Sequence, residues 1–156
     1  MTTNTTNIVP QSIADRIPAG LREKGYVPQI TFPGAHWFIR VPLALIIFNQ
    51  GWMKFTDLVG GAESYGFPVW MWFMAGLGEV LGAAALIVGG AVKAFNPPEG
   101  ALRLIGDVIT RLGGLAITLI VAAVIYLIYW GPWQGMQFHL MLLAGGLFFM
   151  WRGNRA

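Results

Sequence analysis

Polar and apolar positions divide the chain into a polar leader and four apolar runs. Residues 1–35 are rich in Thr, Asn, Pro and Gly, and no apolar run follows Met1. A cleavable signal peptide is therefore not expected there, and the stretch reads as a polar cytoplasmic tail. The apolar runs cover residues 36–58, 68–92, 102–130 and 135–151. A helix rising about 1.5 Å per residue needs about 20 residues to cross a hydrocarbon core of about 30 Å. The first three runs are long enough and the fourth is marginal. The third is longer than a crossing requires, so its first turns, Leu102 to Thr110, are expected to project into water or lie along the surface. Breakers separate the runs: Gly60-Gly61, Pro97-Pro98-Glu99-Gly100 and Gly131-Pro132. The expected fold is all-α, an integral membrane four-helix bundle spanning 36–151, followed by a short basic tail at 152–156.

Charge sets the expected orientation. Arg16, Arg22, Lys24, Arg40, Lys93, Arg103, Arg111, Arg152 and Arg155 all fall on one side of this arrangement, and of the ten Lys and Arg only Lys54 falls on the other. Basic residues favour the cytoplasmic side, which places both termini in the cytoplasm of a bacterial-type inner membrane. Trp37 and Trp151 would mark the inner interface, and Trp52, Trp70, Tyr129, Trp130 and Trp133 the outer one. Composition agrees: 56% of the residues are hydrophobic and only 11% charged, against about a quarter charged in soluble domains. The net charge of +3 is dispersed over helix ends, not gathered into a patch, so no nucleic-acid partner is expected. Membrane lipid and other membrane subunits, or further copies of the chain, are the expected partners.

The candidate chemistry lies in the polar residues that the apolar runs contain, because an ionisable group inside a bilayer is costly. Glu79 sits deep in the second run, on a face of small residues (Ala75, Gly76, Gly82, Ala83, Gly90) along which another helix can approach closely. Helical side chains lean toward the helix N-terminus, so Lys54 leans inward and Glu79 outward, each toward the other. Gln50 lies one turn below Lys54, and His139, Tyr126 and Tyr129 fall at a comparable depth. Together they form a candidate outer polar cluster, with Trp52, Phe73 and Tyr126 expected to line a slot. A pair that only fixes helix packing is the competing reading. Arg111 has two readings as well, an anchor at the inner interface or a competitor for Glu79. Arg103, Asp107 and Arg111 are spaced to pair along one helix face.

Several chemistries drop out. Without Cys there is no disulfide, thiolate metal site or dithiol redox centre. His36 and His139 belong to opposite sides, which disfavours a haem held by both. No metal-ligand spacing and no phosphate- or dinucleotide-binding glycine pattern is present.

Two stretches carry a resemblance: Arg40-Val-Pro-Leu-Ala-Leu-Ile-Ile-Phe-Asn-Gln-Gly-Trp-Met-Lys54 and Gly78-Glu79-Val-Leu-Gly82-Ala-Ala-Ala-Leu-Ile-Val-Gly89. An Arg opening the first helix, Gly51-x-x-Lys54 closing it and Glu79-x-x-Gly82 in the second resemble the DoxX-like family of small four-helix membrane proteins. The C-terminus departs from the family's Gly-rich stretch ending in Ser and Asp, since this chain ends Trp-Arg-Gly-Asn-Arg-Ala. Some relatives look like the membrane subunit of a thiosulfate:quinone oxidoreductase, others associate with redox or detoxification enzymes, and most have no assigned chemistry. The resemblance implies a structural role for Arg40, Gly51 and Gly82. It leaves the roles of Lys54 and Glu79 open; the first functional reading is a membrane subunit of a quinone-linked redox complex, with the quinone held by the outer polar cluster of Gln50, Lys54, Glu79, His139 and Tyr126. Lys54 and His139 would donate to the quinone oxygens and Glu79 would relay the proton. The alternative is a non-catalytic accessory subunit that packs against a larger membrane complex. No cofactor is expected in the chain itself beyond a quinone.

Overall fold

The computed structural model describes residues 34–95, 100–131 and 133–154. The tail expected at 1–35 lies outside the described residues but for its last two positions. All regular elements among the described residues are helical. They are α1 (Trp37–Thr56), α2 (Leu58–Ser64), α3 (Val69–Phe95), α4 (Ala101–Val124), a π-helical turn (Ile125–Tyr129) that continues α4, and α5 (Trp133–Arg152). The four long helices match the four apolar runs in order and extent. Helix α2 was not expected, because Gly60-Gly61 reads as a breaker. It forms because the Asp57 side chain accepts from the Gly60 backbone N–H at 2.9 Å, satisfying a donor that the helix start would otherwise leave open.

Helix α3 packs on α1 and on α4, and α4 packs on α5. Glycines set these crossings. A Cβ added at Gly51 would come within 2.8 Å of the Gly76 carbonyl oxygen and of Glu79 Cβ, so α1 and α3 are in near-backbone contact there. The same holds for Gly106 of α4, 2.9 Å from the Gly89 carbonyl of α3, and for Gly114 of α4, 2.8 Å from the Gly146 carbonyl of α5. Residues low in one helix meet residues high in its neighbour, so adjacent long helices run antiparallel. Between them Leu43, Ile47, Ala83, Leu86, Ile117, Val121, Leu142 and Phe149 form the core.

The first turns of α4 do not project. Gly106 and Thr110 are buried against α3, because Gly89 leaves no side chain to hold the helices apart.

The surface is apolar and the buried groups include the charges. Phe38, Trp70, Phe95, Leu104, Met141 and Trp151 are all more than half exposed, while Arg40, Lys54, Glu79, Thr110, His139 and Asn154 are buried. Water would oppose that arrangement on both counts, and hydrocarbon favours it. Among the described residues, α3 and the stretch Ala101–Tyr129 are long and apolar enough to cross a membrane by length and composition. The 20-residue helices α1 and α5 carry Arg40 and Lys54, and Arg152, within their length.

The crossing at Gly114 gives a direct test. A methyl group there would meet the Gly146 carbonyl oxygen and the Phe149 carbonyl carbon, both at 2.8 Å, and backbone cannot yield. Gly114→Ala is expected to destabilise the detergent-solubilised protein by about 1–3 kcal/mol. Gly135→Ala, whose nearest new neighbour is a Tyr129 ring carbon at 3.4 Å, should leave the melting temperature almost unchanged.

Candidate functional site

Two polar centres lie inside the bundle, at opposite ends of α1. The first is built on the Gly51–Gly76 contact. That close approach brings the last turn of α1 against the middle of α3, and Lys54 Nζ reaches Glu79 Oε2 at 2.6 Å. Both side chains are almost fully enclosed. The ammonium also lies 5.2 Å from the Trp72 ring centroid and 3.5 Å from the Gln50 carbonyl oxygen. Gly51-x-x-Lys54 and Glu79-x-x-Gly82 therefore have one physical meaning. The first Gly lets the helices touch, the charges meet just beside that point, and Gly82 admits α4 at Ile117 on the next turn.

Beside the pair is a cavity of about 380 Å³. Its polar wall is Gln50 and Lys54 of α1 together with His139 of α5 and Tyr129 of the π-helical turn. Tyr65, Phe67 and Trp72 close another side, with Trp72 stacked on Tyr65 at 5.2 Å between ring centroids and on Phe67 at 6.5 Å. The remaining wall is apolar, from Met71, Ala75, Ile120, Val124 and Leu127 among others. Glu79 is not part of the wall; it stands behind Lys54 and meets the cavity only through it.

His139 is held from two sides. Its ring stacks on Tyr129 with centroids 4.1 Å apart, and its Nδ1 lies 3.3 Å from the Gly135 carbonyl oxygen one turn earlier. The π-helical turn matters here, since widening the last turn of α4 changes the phase of Tyr126 and Tyr129. Tyr129 faces His139, whereas Tyr126 is 71% exposed and sits edge-on to Trp130.

The structure thus brings Gln50, Lys54 and His139 to one cavity, with Glu79 paired behind, and does not bring Tyr126 to it. Trp52 stacks on Phe48 and Phe73 sits edge-on to Phe55, both outside the wall. The aromatic lining comes instead from Tyr65, Phe67, Trp72 and Tyr129. Phase explains the difference: Trp52 lies two positions, about 200°, from both Gln50 and Lys54, and Phe73 about 100° from Trp72 and Met74.

The second centre surrounds Arg40, which is fully buried. Its guanidinium donates to the Leu86 carbonyl oxygen, to Thr110 Oγ1 at 3.2 Å and to Asn154 Oδ1 at 2.7 Å. The ring of Phe149 lies 4.6 Å from its Cζ. Asn154 ties four helices together here. Its side chain donates to the Gly89 carbonyl oxygen at 2.8 Å, its backbone N–H donates to Asp107 at 2.6 Å, and its own carbonyl accepts from Lys93. Gly153 makes this possible by taking a left-handed φ of 59°, the usual helix-ending conformation of Gly, which turns Asn154 back under the bundle. Arg111 pairs with Asp107 at 2.7 Å and donates to the Trp151 carbonyl oxygen at 2.7 Å, so it caps α5 and does not compete for Glu79. Thr110 and Asn154 carry no sequence signal of their own beyond lying on the small-residue face of α4 and directly after Gly153.

Residues 35–96, which hold both short motifs and all of α1 to α3, match the model of the DoxX family. Over those residues the chain is similar to the DoxX family, which supports a DoxX-like assignment. No curated protein and no solved structure matches it. The matched region supplies Arg40, Gly51, Lys54, Glu79 and Gly82, whereas Tyr129, His139 and Asn154 lie beyond it. Among the described residues, no three His, Asp or Glu gather as a metal site would require.

The Lys54–Glu79 geometry predicts a sign for a double-mutant cycle. Lys54→Met or Glu79→Gln alone should each lower stability in detergent, by about 3–5 kcal/mol where a charge is left unpaired. The combined variant should recover a large part of that loss. Additive losses would count against direct pairing.

Proposed function

We propose that this DoxX-like protein is a small multi-pass subunit of a quinone-linked redox complex in a bacterial-type inner membrane, and that its outer cavity takes the quinone headgroup. The observation that carries the reading is the cavity itself. It sets an ammonium, an imidazole and an amide on one wall and aromatic rings on another, at the end of the bundle where the apolar surface continues outside. A quinone is a flat apolar ring with two acceptor oxygens, and such a wall offers it a Lys54 N–H and ring faces on which to stack. Lys54 keeps its bond to Glu79 while presenting a further N–H, because an ammonium has three donors. Proton exchange with Glu79 then passes through Lys54. The chain has no Cys, so thiol-bound metal centres are excluded and electrons have to arrive from a partner subunit. A structural subunit that packs through Gly- and Ala-rich faces is the second reading, and the glycine-lined crossings are the observation in its favour.

In this reading all four long helices cross the bilayer and both termini are cytoplasmic, supported by the Lys/Arg asymmetry and by the antiparallel order of the helices. Since the chain lacks Cys, single cysteines report without background. Cysteines at the exposed positions Ser64 and Gln134 should label with an impermeant reagent from the periplasmic side, and one at Glu99 should not. The reverse pattern overturns the orientation.

The functional reading is tested by measuring quinone in detergent-extracted protein. Counting oxidised and reduced forms together, wild type should carry it, and Glu79→Gln and His139→Ala should carry less. If wild type carries none and neither variant alters the activity of the complex it joins, the structural-subunit reading replaces this one.

A further inference from the structure

The hydrogen-bonding capacity of the cavity distinguishes two redox forms of one ring. A carbonyl oxygen only accepts, so at the Nδ1···Gly135 contact of 3.3 Å the proton resides on Nδ1. In its neutral form the ring then has a bare lone pair on Nε2, which takes no hydrogen bond from the described residues. Stacking on Tyr129 at 4.1 Å opposes a ring flip that would exchange the two nitrogens. His139, which lines the cavity, is in that form an acceptor at Nε2, and not the donor that its residue type alone leads one to expect. Lys54 is the complement. It has donors only, and one is committed to Glu79 at 2.6 Å.

A ligand that satisfies both residues needs an oxygen to accept from Lys54 and an O–H to donate to His139. A quinone has two acceptors and no donor, so its second oxygen would face the Nε2 lone pair. A hydroquinone has both functions at opposite ends of one ring. We infer that the cavity is selective for the hydroxyl-bearing, reduced ring, with one hydroxyl donating to His139 Nε2 and the other oxygen accepting from Lys54 Nζ. The inference rests on the proposed function and specifies which redox form that site holds. The physical source of the selectivity is general. A site built to receive a ligand O–H discriminates strongly against the analogue that lacks it, because its own polar atom is left unpaired once water is displaced.

The test is equilibrium dialysis of the detergent-solubilised full chain against tetramethyl-p-benzoquinone and, anaerobically, its hydroquinone. A mildly alkaline buffer is used, in which free imidazole is neutral. Wild type should bind the hydroquinone about tenfold more tightly or better, the size expected when one buried acceptor is left unpaired. His139→Phe keeps a ring against Tyr129 but removes the acceptor, and should bring the two affinities together. His139→Gln restores an acceptor and should restore part of the preference. Equal binding of the two forms by wild type, or a preference that survives His139→Phe, overturns the inference and leaves the quinone reading standing. Binding of neither form overturns both.

Discussion

Charges inside a bundle whose outside is apolar have to be satisfied by the bundle, and this requirement orders the rest of the structure. An ammonium, a carboxylate and a guanidinium are buried here, and none can reach water in the hydrocarbon. Each is met by a group on another helix, which requires helix axes closer than ordinary side chains permit. Glycine provides the approach. Gly51 against Gly76 sets the distance at which Lys54 meets Glu79, and Gly90 leaves the space that the Arg40 side chain fills. A leucine at any of these points would separate the helices and strand the charge. The small-residue faces and the buried charges are therefore one feature and not two.

The two polar centres solve that problem differently. Around Arg40 the protein supplies partners for both terminal nitrogens, a backbone carbonyl, Thr110 and Asn154, and the face of Phe149, while Nε has no partner among the described residues. Elements distant in sequence close on it, and Lys93, Asp107 and Arg111 bind the chain end over it. Around Lys54 the pairing is equally tight, but α5 and the π-helical turn stand back and leave about 380 Å³ open. Between the centres lie Leu43, Ile47, Leu86 and Ile117, all buried and apolar. The centre at Arg40 is closed by the protein's own groups, whereas the one at Lys54 borders open space.

How far the sequence disclosed this depended on what each residue costs. Glu79 and Lys54 were legible because a charge in an apolar run has no inexpensive explanation, and the opposed lean of side chains on antiparallel helices points the two at each other. Gly76 and Gly82 were legible as a small-residue face around Glu79, and Gly51 through the family resemblance. The aromatic walls of the cavity were not. Whether Tyr126 or Tyr129 faces inward depends on a widened turn at Ile125–Tyr129 that no residue there announces, and the Tyr65–Trp72 stack depends on α2, whose two glycines read as a break. Asn154 was hidden by proximity to the chain end. Its position follows from the left-handed turn at Gly153, and a Gly before a polar residue is too common to single out.

The choice between a ligand site and a packing subunit turns on why the outer half is left open. Where this chain needs only to pack, it does so to backbone contact, as at Gly89 with Gly106 and Gly114 with Gly146. A subunit selected for packing alone would gain from closing the outer half in the same way, because each unfilled volume forfeits dispersion contacts on all its walls. The cavity persists with its polar groups presented inward and in complementary roles. Lys54 donates, His139 is oriented by its bond to Gly135 and its stack on Tyr129, and Glu79 balances the Lys54 charge without entering the space. That balance also bears on the ligand. With the ammonium already paired, the cavity carries little net charge, which in the proposed reading suits a neutral ring with directional hydrogen bonds better than a free anion.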